Sequence, residues 1–320
     1  MSTRIPALVN FAAAPHSVEV REISRPEIGP RDVLLQVQAV SVCGSDLHQW
    51  LGGASWKVNY PVVLGHEFGG VIAEAGREVQ GFAEGDRVVS ETAAVIDEQS
   101  PLSRQGLYNL DPHRLGFGYG VDGAMTQFVK VPARCLHRVP AGLSFEEAAC
   151  LPVAWLTAHR MLTTRGQLRA GETVLVQGAA GGVASAAIAL GRAMGLRVWA
   201  TGRTESKRAF AESIGAHAVF EPGDRLPHRV DAVIETVGEA TWAHSMRSLR
   251  PGGRIIISGA TSGPSPSADL SRLFFLQLQV IGSTMGTVGE LAELISFVEA
   301  TVIRPSSERV MPLTDAATAI

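Results

Sequence analysis

Between residues 18 and 89 the chain alternates short apolar runs with glycine, proline and aspartate. Residues 33–40 (VLLQVQAV) and 70–76 (GVIAEAG) are such runs, and Pro26, Pro30 and the pair Gly85, Asp86 punctuate them. Runs of this length between turn formers predict strands of a compact, barrel-like antiparallel unit. Residues 123–131 predict a further strand that enters Pro132.

After Glu146 the texture changes. Residues 173–177 form a continuous apolar strand, a glycine-rich turn at 178–183 opens an alanine-rich helix towards Gly195, and 196–201 predict the next strand. A helix over 205–214 follows, then strands at 218–220, 231–236 and 254–258. Strands alternating with helices predict a parallel, doubly wound sheet. Past Gly286 a helix is expected through Leu291 and Phe297 towards Ala300, then a short strand at 309–313. Residues 314–320 read as the opening of a helix, capped by Thr314 and favoured by Ala316, Ala317 and Ala319. The expected division is residues 1–152 with 301–320 as one domain and 153–300 as the other.

Composition narrows this picture. A chain of 320 residues exceeds one ordinary core, and 46% apolar residues can fill two. The 34 glycines suit a turn-rich α/β enzyme. A net charge of −3 gives no nucleic-acid or membrane surface. Cys43, Cys135 and Cys150 make no disulfide framework, so a reducing, cytoplasmic setting is expected. Residues 1–20 carry no apolar stretch behind a basic start, hence no secretory signal, and residues 181–195 are too short to span a membrane.

Two clusters carry chemistry. Cys43, His66 and Glu67 bring a thiol, an imidazole and a carboxylate, donors that suit a zinc ion with one position open. The turn Gly178, Gly181, Gly182, Val183 lies between an apolar strand and a helix. There exposed backbone N–H groups can hold a pyrophosphate, and the small Ala184 and Ala187 permit close helix–sheet packing. The literal G-x-G-x-x-G spacing is absent, and the context carries the reading. Beyond the next strand stand Arg203, Thr204, Ser206, Lys207 and Arg208, not the acidic residue that an NAD site offers. Arg203 and Lys207 suit a 2′-phosphate, favouring NADP(H) with NAD(H) as the other choice. Thr236, Val237, Ser258 and Gly259 follow sheet strands and are expected beside the cofactor.

With the motifs at 42–48 (VCGSDLH) and Gly65, His66, Glu67, and weaker support at 84–88 and 178–183, the chain resembles the medium-chain dehydrogenase/reductase superfamily. This groups zinc alcohol dehydrogenases with zinc-free quinone reductases. The resemblance implies an α/β chain: a GroES-like β-barrel catalytic domain plus a doubly wound Rossmann cofactor domain. It also implies zinc on Cys43 and His66 with Glu67 beside them, a proton relay of Ser45 and His48, and Thr157 near the nicotinamide. Trp50, Trp56 and Tyr119 are candidates for an apolar pocket. Relatives pair through the edge of the cofactor sheet, here the apolar run 276–281, so a homodimer or homotetramer is expected.

At the metal sites the chain departs from the resemblance in two places. A third zinc ligand would align between residues 151 and 154, where Leu151, Pro152, Val153 and Ala154 offer none, with Cys150 nearby. The four-cysteine spacing of a structural zinc lobe falls on Asp97, Ser100, Ser103 and Asp111. No structural zinc is expected there, and ion pairs of Asp97 or Asp111 with Arg104 or Arg114 are expected to hold the lobe. The leading expectation is a zinc-assisted alcohol dehydrogenase or carbonyl reductase. The alternatives are a zinc-independent quinone or enoyl reductase, or a non-catalytic nucleotide-binding protein.

Overall fold

The computed structural model describes residues 3–54, 56–307 and 309–318. It divides into two compact units, Met1–Val153 with Thr287–Ile320, and Ala154–Gly286.

The first unit is antiparallel. Its strands are β1 (Arg4–Asn10), β2 (Val18–Ser24), β3 (Asp32–Ser41), β4 (Val62–Val63), β5 (Glu67–Ala75), β6 (Arg87–Ser90), β7 (Phe128–Pro132) and β8 (Leu136–Arg138). Among the described residues they form a five-stranded sheet, β7-β3-β5-β6-β8, and a three-stranded sheet, β2-β1-β4. Val33, Leu35, Phe68, Ile72, Val88, Phe117 and Val131 share its main core, with Phe68 and Phe117 edge to face at 5.2 Å. The β3–β5 pair is irregular between Val37 and Ala39, and it ends with Ser41 opposite Glu67. Two residues past Ser41 stands Cys43. Gly65 has φ +93°, and a Cβ there would lie 2.9 Å from the Met125 nitrogen, so only glycine brings the chain into β5 this closely.

The second unit holds β9 (Thr173–Val176), β10 (Arg197–Thr201), β11 (Ala218–Phe220), β12 (Val230–Glu235), β13 (Leu249–Ile257) and β14 (Gln279–Gly282). Among the described residues they form one parallel sheet ordered β11-β10-β9-β12-β13-β14. In chain order this is 3-2-1-4-5-6, the doubly wound Rossmann arrangement, whose order reverses between β9 and β12. All four residues of β9 are buried, as in a strand covered on both faces.

Two expectations are corrected. Residues 309–312 form no strand. Arg309, Val310 and Pro312 are exposed, Pro312 has no N–H to donate, and a short run becomes a strand only where a partner strand takes its hydrogen bonds. A short 3₁₀ helix, Leu313–Thr318, follows, while Ala319 and Ile320 lie outside the described residues. The helix Val288–Thr301 belongs to the first unit, where the sequence had assigned residues through 300 to the second. Periodicity marks its apolar face, Leu291, Leu294, Ile295 and Val298, but not which core that face serves.

A candidate metal centre and nucleotide-binding turn

Cys43 stands at the N-terminus of the helix Gly44–Trp50, His66 immediately precedes β5, and Glu67 opens it. The side chains meet: one donor atom each of Cys43, His66 and Glu67 lie within 4.8 Å of one another. Asp46, 1% exposed, orients two of its neighbours. Its Oδ2 accepts the Cys43 N–H at 2.9 Å, and its Oδ1 lies 3.4 Å from His66 Nδ1. On the other side of the ring, His66 Nε2 is hydrogen-bonded to Ser45 Oγ at 2.9 Å. A carboxylate behind a histidine ring fixes its orientation and raises its basicity as a ligand. The sequence reading missed Asp46; the signal was an acid three residues past Cys43, in the first turn of the helix.

Burial pushes the Cys43 thiol up, but the hydrogen bond and positive charge of His66 outweigh it and bring the thiol from 9.0 to about 7. Burial also opposes a charged His66, and the Asp46 carboxylate overcomes it, raising the imidazole well above its ordinary value. Glu67 is raised well above the usual carboxylate range, first by burial and then by the charge of Cys43. Two anionic donors that oppose each other's ionisation in a buried site are relieved by a dication. Thiolate, imidazole and carboxylate together suit zinc, so the residues fit the metal.

The other predicted residues are placed as follows. His48 lies on the same helix, exposed. The Cys150 thiol donates to the Glu146 carbonyl at 3.4 Å and lies 4.0 Å from Ser41 Oγ, outside the three-donor group. Burial, then the charge of Glu67, pushes it up to about 11. Leu151 and Val153 are buried. Trp50 packs on His16, and Trp56 on Tyr119 at 6.5 Å. The lobe is organised differently from the expected ion pairs. Asp111 accepts from Ser103 Oγ at 2.6 Å and from the His113 N–H at 2.8 Å, while Ser100 caps the Leu102 N–H at 3.3 Å. Arg104 turns to Gln99, and Arg114 donates to the Asp111 backbone carbonyl. Hydroxyls reach the buried carboxylate at shorter range than the long cations.

In the second unit Gly178 follows β9 with φ +73°, where a Cβ would come 2.8 Å from Val237 Cγ2. Gly181 and Gly182 are exposed at the start of the helix Gly182–Ala193, and Ala184 and Ala187 are fully buried beneath it. Val183 is half-buried in its first turn. Thr236 and Val237 leave β12 and Ser258 leaves β13, and a Cβ on Gly259 would sit 2.7 Å from the Thr236 carbonyl. Thr157 is buried on the helix Leu156–Arg160. Arg203 and Lys207 are exposed, whereas Arg208 donates to the Gly202 carbonyl and pairs with Glu221 at 3.3 Å.

The alcohol dehydrogenase GroES-like domain pattern matches residues 29–141, and the zinc-binding dehydrogenase pattern matches 182–300. An acryloyl-coenzyme A reductase of Metallosphaera sedula is 34% identical over 292 residues, covering 90% of this chain and 87% of the relative. The chain belongs to the medium-chain dehydrogenase/reductase superfamily. Among solved structures of the superfamily, an NAD-dependent alcohol dehydrogenase shares 32% identity with a TM-score of 0.91, over 98% of this chain and 94% of its own. A cobalt- and zinc-bound thermostable alcohol dehydrogenase from Pyrobaculum aerophilum shares 30% identity with a TM-score of 0.90, over 99% and 95%. This chain is an NAD(P)-dependent oxidoreductase of small molecules. Among the described residues no helix is long and apolar enough to cross a membrane.

Proposed function

We propose that the protein interconverts an alcohol and its carbonyl, with zinc held by Cys43, His66 and Glu67 and with NADP(H) as the preferred cofactor. The observation that carries the reading is the three-donor group within 4.8 Å, its imidazole backed by Asp46. Bound there, zinc would supply Lewis acidity to a substrate oxygen, and the nicotinamide would exchange the hydride. The chain's own residues manage protons and geometry. Asp46 holds the Cys43 backbone and the His66 ring together. The Ser45 hydroxyl, beside that ring, is suited to take the alcohol proton, and the exposed His48 to hand it to solvent. Exposed Arg203 and Lys207 support the phosphorylated cofactor, as Arg208 is already engaged.

A second reading, zinc-independent reduction of an enoyl thioester, is favoured by the acryloyl-coenzyme A reductase relative and by buried Leu151 and Val153 where a third donor would fall. Metal analysis of protein purified without added metal, with turnover of alcohols, aldehydes and acryloyl-coenzyme A, separates the two. About one zinc per chain with alcohol turnover is expected. Turnover of the thioester alone, undiminished by chelation, would overturn the alcohol reading.

The free thiols of Cys43, Cys135 and Cys150 support a reducing, cytoplasmic setting. We further propose a homodimer or homotetramer joined at β14.

A further inference from the structure

The carboxyl ends of β10, β9 and β12, neighbours in the second unit's sheet, are tied by one chain of buried hydrogen bonds. Glu235, the last residue of β12, is 0% exposed. Its Oε1 accepts the N–H groups of Val237 at 2.9 Å and Gly238 at 3.1 Å. The Thr241 hydroxyl donates to the same carboxylate at 2.9 Å, and Ser245 Oγ donates to Oε2 at 2.6 Å. Ser245 accepts in turn from Gln177 Nε2 at 3.0 Å. Gln177 Oε1 accepts from Thr201 Oγ1 at 2.6 Å, which accepts the Gly178 N–H at 3.3 Å. The chain therefore starts on the backbone of one strand-end loop and finishes on the backbone of the next.

Several donors are what a buried carboxylate requires, and the start of the ten-residue helix Glu239–Ser248 adds the positive pole of its dipole. These bonds lie outside the strand ladder and run to the loops at 178–183 and 236–238. The loops also touch: a Cβ on Gly178 would meet Val237, and Gly238, at φ +94°, passes so near Ala260 and Gly263 that a Cβ would lie 2.6 Å from the Gly263 carbonyl. Moving one loop moves the other.

We propose that Glu235, acting through Ser245 and Gln177, is a positioning residue for the dinucleotide: it fixes the two strand-end loops on which the cofactor rests in register with each other. The inference rests on the reading of those loops as the cofactor site. Because it concerns the part common to NADPH and NADH, disturbing the chain weakens both alike, whereas Arg203→Ala weakens NADPH selectively.

The test compares dissociation constants for NADPH and NADH in wild type, Glu235→Gln, Ser245→Ala and Arg203→Ala, at a temperature where circular dichroism shows each folded. Glu235→Gln keeps the side chain's shape but sets an amide donor against the Ser245 hydroxyl. It should weaken both dinucleotides about tenfold, the cost of one mismatched buried partner. The KM for the carbonyl substrate at saturating cofactor should stay unchanged. Unaltered affinity for both, even with a lower unfolding midpoint, would make the chain structural only and overturn the proposal. Should Glu235→Gln not fold, Ser245→Ala decides. It leaves the bonds of Glu235 to Val237, Gly238 and Thr241 in place, so a joint loss of affinity supports the proposal and wild-type affinity overturns it. A wild type that binds neither dinucleotide would instead overturn the cofactor reading.

Discussion

At the scale of single residues, Asp46 is the group on which the proposed metal centre turns. It joins the helix start carrying Cys43 to His66, just before β5, through a hydrogen bond of 2.9 Å and a charge contact of 3.4 Å. Asp46→Asn retains the size and still offers an oxygen to the Cys43 N–H, but removes the charge facing the ring. Zinc affinity is expected to fall about 10- to 100-fold, as for other carboxylates behind ligating histidines. Competition with a chromophoric chelator measures this, and an unchanged dissociation constant would remove Asp46 from the centre. That Cys43, His66 and Glu67 would stand together was legible in the sequence, from their residue types and the motifs that hold them. Which group each of them faces was not. That Ser45 bonds to His66, and that Cys150 turns to the Glu146 carbonyl, depends on side-chain rotamers that spacing does not encode.

At the scale of elements, residues 97–114 show how a lobe keeps its shape with hydroxyls and a carboxylate where a four-cysteine spacing can be laid. Asp111 is fully buried and lies at the centre of the arrangement. The Ser103 hydroxyl, with the His113 N–H and Ser100, holds its carboxyl below the ordinary 3.8. A carboxylate lowered in the fold gives stability that is complete above its unfolded value and is lost as the pH falls through its folded one. Asp111→Asn should therefore lower the unfolding midpoint at pH 7 by a few degrees. The gap between variant and wild type should close in steps below about pH 4. Thermal scans across that range check it, and a gap independent of pH would show that shape and not charge holds the lobe. The sequence identified the polar replacements but expected long-range ion pairs. Burial favours the short hydroxyl, which reaches the carboxylate without desolvating a cation. The expected strand at 309–313 failed for a related reason: only Val310 is a strong β-former, Pro312 has no N–H to give a ladder, and pairing is a property of the neighbour.

At the scale of the molecule, the change of texture after Glu146 revealed two units, because alternating strands and helices are written into periodicity. The return of the chain to the first unit at Thr287 was not, since helix Val288–Thr301 has an apolar face compatible with either core. The same limit applies to association, where the apolar run at 276–281 marks an edge without naming its partner. In the sheet, β14 lies at one end of the order, with Val280 46% exposed. The adjoining helix Leu270–Phe275 turns Phe274 and Phe275 outward at 63% and 77% exposure, their rings 4.4 Å apart. An uncovered edge strand flanked by exposed aromatics invites pairing, and monomers rarely leave such a surface open. A second copy adding its own β14 would satisfy the unpaired edge groups and bury both aromatic pairs by a single symmetric contact. Val280→Lys with Phe275→Glu places charge on the edge and in the apolar patch. Neither residue is buried, so the fold should tolerate both. Light scattering behind a sizing column should show the wild type as a dimer or tetramer and the double variant as a smaller species, with the far-ultraviolet spectrum unchanged. A wild type that elutes as a monomer, or a variant that keeps the wild-type mass, would show that β14 is not the joining edge.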